Sequence, residues 1–141
     1  MDHFSTLRDS RAYHVDSLLE LRPISAAAIS ATTSSTGIEV GSILRKFDLA
    51  KIIINWAAYT GYVATSAAWN IKIDVSDLVG GTYTAVTQTI ELDGAAAGQI
   101  EIPMSGLLNA YLDADSAFVR VTATKVGVPG NLTFGAFIPL P

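Results

Sequence analysis

Asp113 and Asp115 stand two residues apart ahead of an apolar run. Paired carboxylates at such short range can divide general-acid and general-base work between them. A simpler reading fits the same residues better. Asp and Ser gather where a chain enters a strand because their side chains bond the local backbone, and Asp113-Ala114-Asp115-Ser116 is such an entry. A calcium loop needs more acids and a glycine in register, which this stretch does not supply. Nucleophilic catalysis needs a Ser, Cys or Thr beside a base, usually histidine. The two histidines, His3 and His14, both lie near the N-terminus, ten intervening residues apart. No glycine-flanked serine elbow precedes a helix, and the histidine spacing matches no common metal motif. With Cys 0 there is neither a disulfide framework nor a thiolate metal site. Gly80-Gly81 is not followed by the lysine and helix of a phosphate loop. Asn131-Leu132-Thr133 has the form of a glycosylation acceptor, but the start MDHFSTLRDSR has no apolar h-region after a basic one, so the match is read as coincidence. The expectation is a protein that is not an enzyme, with no metal and no cofactor.

The aromatic group Trp56, Tyr59, Tyr62 and Trp69 has two readings. Aromatics grouped on a sheet edge can stack on sugar rings or anchor a protein partner. They can equally fill a core. The tryptophans, which bracket a loop, are expected to plug one end of the core. Tyr59 and Tyr62, on either side of Gly61, are expected at an exposed loop tip that suits a partner contact.

Composition points to binding. Of 141 residues, 50% are hydrophobic and 16% charged, against about 25% charged in an ordinary domain. A single domain of this size cannot hide all that apolar material, and exposed apolar patches mark interaction surfaces. The competing reading is a monomer whose many alanines inflate the apolar count. A formal net charge of -4 argues against nucleic acid, which demands a basic footprint. The strongest hydrophobic run, Ile52-Ile53-Ile54, is far short of the ~20 residues that span a bilayer, so no membrane role is expected. With no secretory start, the product is expected to be made and left in the cytoplasm unless something carries it out.

These residues must be held by strands. Ile71, Ile73 and Val75 alternate with Lys72 and Asp74, Ile90 and Leu92 flank Glu91, and Ile100 and Ile102 flank Glu101. Val119, Val121 and Ala123 share one face against Arg120, Thr122 and Thr124. This period of two belongs to half-buried antiparallel strands. Residues 49–58 are apolar almost throughout, as in a central strand covered on both faces. Hairpin turns are expected at Gly80-Gly81, from glycine's access to positive φ, and at Pro129-Gly130, a type II signal. Asp93-Gly94 ends another strand. Runs at 24–31, 37–44, 48–58, 69–76, 83–92, 98–103, 117–126 and 131–138 make about eight strands, which fits an all-β, antiparallel two-sheet β-sandwich of the jelly-roll kind. Met104 to Leu112 has Leu107, Leu108, Tyr111 and Leu112 at helical spacing behind Ser105, a candidate short helix. Residues 1–23 form a separate, extended N-terminal arm ahead of a sandwich domain at 24–141. The arm carries both histidines, Arg8, Arg11, Arg22 and four acids, whereas 24–38 carries no charge. A helical turn is expected at Asp16 to Leu21, closed by Pro23.

The opening MDHFSTLRDS, the alanine-rich Ile24 to Ala31 leading to Thr36-Gly37-Ile38-Glu39-Val40-Gly41, and above all Phe118-Val119-Arg120-Val121-Thr122-Ala123-Thr124 followed by Gly130-Asn131-Leu132-Thr133-Phe134-Gly135-Ala136-Phe137 resemble the small cement, or decoration, proteins of tailed-phage (podovirus-like) capsids. The resemblance covers most of the β region and is most specific in its last two strands. It implies a jelly roll on the outer surface of the phage head, bridging capsomers of the major capsid protein, commonly as a dimer or trimer. On that footing Phe4, Leu7, Arg8, Arg11, Tyr13, Leu18 and Leu19 of the arm, with Tyr59 and Tyr62, are the candidate contacts to the capsid or a sister subunit. No arm residue matches a shared binding motif. The alternative is a carbohydrate- or receptor-binding module of a phage fibre or tail, using the same sandwich with aromatics at one end.

Overall fold

A computed structural model describes residues 19–39, 51–76, 78–85, 87–103 and 118–139. The strands are β1 (Glu20–Arg22), β2 (Thr33–Ser34), β3 (Ile38–Glu39), β4 (Lys51–Trp56), β5 (Ala68–Ser76), β6 (Thr84–Ala85), β7 (Ile90–Leu92), β8 (Gly98–Pro103), β9 (Phe118–Val126) and β10 (Phe134–Phe137). They form two antiparallel sheets. One runs β1-β10-β4-β8, the other β2-β9-β5-β6, with β3 also on β9 and β7 also on β5.

β2 and β3 share one position beside β9, and β6 and β7 share one beside β5, so ten segments occupy eight places. Counted in chain order, the two sheets read 1-8-3-6 and 2-7-4-5, the strand order of a jelly roll. The expected sandwich of about eight strands is therefore the observed one.

The core lies between the sheets. Ile52, Ile54 and Trp56 of β4 face Trp69, Ile71, Ile73 and Val75 of β5, with Val119, Val121, Phe134 and Ala136 filling the layer. The run expected to be covered on both faces is β4: Ile52, Ile53 and Ile54 are all fully buried, and β4 is flanked by β10 and β8. β5 pairs with β9 over nine residues, from Ala68↔Val126 to Ser76↔Phe118, and forms the longest ladder.

Three local expectations are corrected. Among the described residues the first strand is not 24–31 but Glu20–Arg22; of the expected helical turn at 16–21, Leu19 is in a 3-10 conformation, Glu20 and Leu21 are strand, and 16–18 lie outside the described residues. Leu19 and Leu21 are buried while Glu20 and Arg22 face outward, a period of two that Pro23 terminates as a strand. Residues 24–31 run as a loop, tied to the sandwich by the Ile29↔Leu132 bridge. The run at 83–92 is interrupted because Thr87 Oγ1 accepts the Ile73 amide at 3.0 Å, a bond that a strand neighbour would otherwise take. The positive φ expected at Gly80-Gly81 and Gly130 is taken instead by Gly61 (φ 72°) and Gly127 (φ 68°). The candidate helix at 104–112, the Asp113/Asp115 pair and residues 1–18 lie outside the described residues.

Candidate functional site

Four loops meet at one end of the sandwich: 23–32, 57–67, 93–97 and 127–133. They are fastened to one another by backbone bonds. Ile29 and Leu132 exchange N–H···O bonds at 2.9 and 3.0 Å, the Gly130 amide donates to Thr60 O at 2.7 Å, and the Tyr59 amide donates to Gly94 O at 3.0 Å. Together these loops hold 33 residues, of which Asp93 alone is charged.

The aromatic side chains beneath them spend their polar atoms on the same loops. Trp56 Nε1 donates to Asp93 O at 2.9 Å and Trp69 Nε1 to Gly130 O at 2.8 Å. The Tyr59 hydroxyl donates to Leu92 O and accepts the Trp69 amide at 3.2 Å. Trp56 and Trp69 are buried, as expected of core plugs. Tyr59 is not at an exposed tip: it is 7% exposed, its ring packed over Gly94 where a Cβ would come within 2.6 Å. Burial, helped by the carboxylates of Glu91 and Asp93, raises its phenol above the ordinary value, against the lowering effect of the Trp69 amide.

Tyr62 is half-buried and makes an edge-on contact with Tyr59, ring centroids 5.8 Å apart. Its hydroxyl donates to Glu91 Oε2 at 2.8 Å, and the Thr65 amide donates to Glu91 Oε1 at 2.8 Å. The carboxylate thus holds both sides of the 60–67 loop. Thr65 has φ of 65°, a left-handed conformation uncommon for a β-branched residue, and its bond to Glu91 is one of the contacts that hold it there. The hydrogen bond to Glu91 is the main reason the Tyr62 phenol is pushed up to about 12.

Above this framework the surface is aliphatic. Val128 is 85% exposed, Val63 56% and Ile24 47%, among exposed alanines such as Ala57, Ala64 and Ala96. Charges at the rim fold back onto the loops: Lys125 Nζ donates to Ser30 O at 2.9 Å and Arg22 Nη2 to Ala27 O. An uncharged apolar centre inside a polar rim is the anatomy of a protein–protein interface. Pinned loops also lose little conformational freedom when they bind.

One group of charges lies on the face of the second sheet turned away from the core. Asp74, 1% exposed, accepts Thr122 Oγ1 at 2.7 Å and Arg120 Nε at 3.2 Å, with Lys72 Nζ 3.7 Å away. Arg120 in turn lies 4.0 Å from the Tyr83 ring centroid.

No protein-family model and no curated protein matches the chain. Among solved structures, it is similar to the CBM22-1 xylan-binding domain of Paenibacillus barcinonensis Xyn10C. That likeness has a TM-score of 0.38 and 15% sequence identity, over 92% of this chain and 99% of that one.

Of the residues singled out in the sequence, Leu19 is buried in the core, Tyr59 holds strand ends together, and Tyr62 belongs to the loop end. Phe4, Leu7, Arg8, Arg11, Tyr13 and Leu18 lie outside the described residues. Val63, Val128 and Glu91 were missed. The available signal was the near absence of charge from four separated loops, which becomes visible only when the strand order brings them together.

Proposed function

We propose that this chain is a structural virion protein, a cement or decoration protein on the outer surface of a tailed-phage head. It binds across contacts between capsomers of the major capsid protein and is made in the host cytoplasm. It works by binding and performs no catalysis. The observation that carries the reading is the loop end, a preassembled apolar surface on a jelly roll whose one charged residue is Asp93. The sequence resemblance supports it too, because its most specific segments supply β9 and β10, which lie inside the two sheets. Binding only the assembled shell, such a protein stabilises that state in proportion to its concentration over its dissociation constant.

A carbohydrate- or receptor-binding module is the competing assignment. Sugar recognition through this end calls for exposed ring faces. Trp56, Tyr59 and Trp69 are buried there, and the hydroxyl of half-buried Tyr62 is engaged by Glu91. The deciding experiment is co-sedimentation of the purified chain with expanded and unexpanded heads of its own phage. Saturable binding to expanded heads at a fixed copy number per capsomer is expected. No binding to either form, with binding to a glycan array, would transfer the assignment to a fibre or tail module.

A further inference from the structure

The face of the second sheet turned away from the core carries a cluster of side chains remote from the apolar loop surface. Successive outward positions on β5 hold Asn70, Lys72 and Asp74, and β9 sets Thr124, Thr122 and Arg120 directly beside them. Asp74 is the anchor. It is buried, and its Oδ2 accepts both Thr122 Oγ1 at 2.7 Å and Arg120 Nε at 3.2 Å, while Lys72 Nζ stands 3.7 Å from Oδ1. Tyr83, just ahead of β6, reaches across to the opposite edge of the sheet, where a Cβ at Gly37 would overlap its hydroxyl. Its ring centroid lies 4.0 Å from the Arg120 guanidinium carbon, and its hydroxyl donates to Val79 O at 2.8 Å.

Two cations thus flank one carboxylate, and both have donors to spare. Among the described residues Arg120 hydrogen-bonds through Nε alone, which leaves both Nη groups available. Lys72 Nζ is beyond hydrogen-bond reach of Asp74. Both side chains are partly exposed.

We propose that Arg120 and Lys72 form a docking site for a carboxylate side chain on an acidic segment of a protein partner. The inference rests on the reading of the chain as a protein that acts through protein contacts. It adds a second surface of different chemistry to the loop end, and a protein that bridges capsomers has to grip at more than one place.

The occupant follows from charge and shape. The fork of a guanidinium matches the two oxygens of a carboxylate, and such charge-assisted bonds are the strong ones. Arg120 is already held by Asp74 at Nε and by the Tyr83 ring, so it loses little freedom when it binds. Lys72, Asp74 and Arg120 together leave one positive charge uncompensated on a chain that carries -4, a local exception that draws an anion. The patch is also small. Glu39, opposite Phe118, bounds it beyond Arg120, and Glu91, opposite Asn70, bounds it beyond Lys72. It therefore suits a single acidic side chain, whereas a nucleic acid needs a broad basic footprint.

The test is titration of the full, isotope-labelled chain with a short blocked peptide of alternating aspartate and serine, with its asparagine counterpart and with inorganic phosphate, following the Arg120 Nε–H resonance. Saturable shifts that weaken with salt are expected for the aspartate peptide, with an affinity at least about tenfold above that for the asparagine peptide or phosphate. Arg120→Lys keeps the charge without the fork and should lower that affinity at least about tenfold. Lys72→Gln removes no hydrogen bond from the fold and should also weaken the peptide, with melting unchanged. An absence of saturable shifts, equal binding of the asparagine peptide, phosphate binding as tightly as the aspartate peptide, or an affinity indifferent to both substitutions overturns the proposal. Head co-sedimentation of the same samples separates the two readings. Head binding that survives both substitutions in a chain that takes no peptide defeats the carboxylate site alone, whereas peptide binding at Arg120 by a chain that ignores heads defeats the cement assignment alone.

Discussion

Replacing Tyr59 by Phe removes one oxygen atom and tests whether this residue is structural or a partner contact. That hydroxyl donates to Leu92 O and accepts the Trp69 amide, so it joins the last residue of β7 to the second residue of β5. Phe keeps the ring, its packing over Gly94 and its edge contact with Tyr62. What changes is that two backbone groups at a buried position lose a partner. An unsatisfied buried group costs about 1–3 kcal/mol, and the carbonyl, with two lone pairs, belongs at the lower end of that range. The sum is about 2–4 kcal/mol. For a chain of this size that corresponds to a fall in melting temperature of roughly 6–14 °C. Urea denaturation of Tyr59→Phe beside wild type, with equal m-values, measures the loss directly. A loss below about 0.5 kcal/mol combined with weakened self-association or head binding would refute the reasoning and return Tyr59 to the role of a partner contact.

Three further outcomes follow from the same geometry. Ultraviolet titration of the folded chain should show the Tyr62 phenol ionising at about 12, and Glu91→Gln should bring it back toward 10. Because the folded state holds this proton more tightly than the unfolded one, whose phenol ionises near 10, the stabilising contribution is present below about 10 and fades as pH rises through about 12. Gly94→Ala would place a Cβ 2.6 Å from the Tyr59 ring, and overpacking of this kind costs about 1–3 kcal/mol, readable as a shifted urea midpoint. Asp74→Asn should cost about 1–3 kcal/mol, less than the loss of a fully buried pair because Arg120 and Lys72 are 30% and 34% exposed and can rehydrate; a denaturation curve indistinguishable from wild type would show that the carboxylate's charge is not needed.

The sandwich was legible where one sheet face is wet and the other dry. β5, β8 and β9 show apolar alternation because only their inner rows enter the core, and β4 reads as a continuous apolar run because both its faces are covered. Alternation fails where the strand is very short. Leu19-Glu20-Leu21-Arg22 has the period of a strand, yet the run is so brief that Pro23 reads equally well as the stop of a helix. Ile24 to Ala31, apolar and alanine-rich, resembles a strand in composition but lacks the polar alternation of a half-buried one, and it runs as a loop. The candidate site was the least legible part. Aromatics draw attention as binding residues, but here a tyrosine hydroxyl and two indole N–H groups are spent under the surface, on the backbone of a strand end and of the loops. The surface itself is made of residues with little chemistry of their own, brought together from four separated loops by the jelly-roll order.

The long β5–β9 ladder has a mechanical consequence. The two strands run antiparallel along the axis that joins the loop end to the opposite end, with nine residue pairs in unbroken register. Tension applied between those ends loads the whole ladder in shear, so its bonds resist together instead of opening one at a time like a zipper. Loop 127–133 carries that load from one sheet into the other, since it joins β9 to β10 across the two layers. A protein gripped by its loop end would therefore yield as a unit.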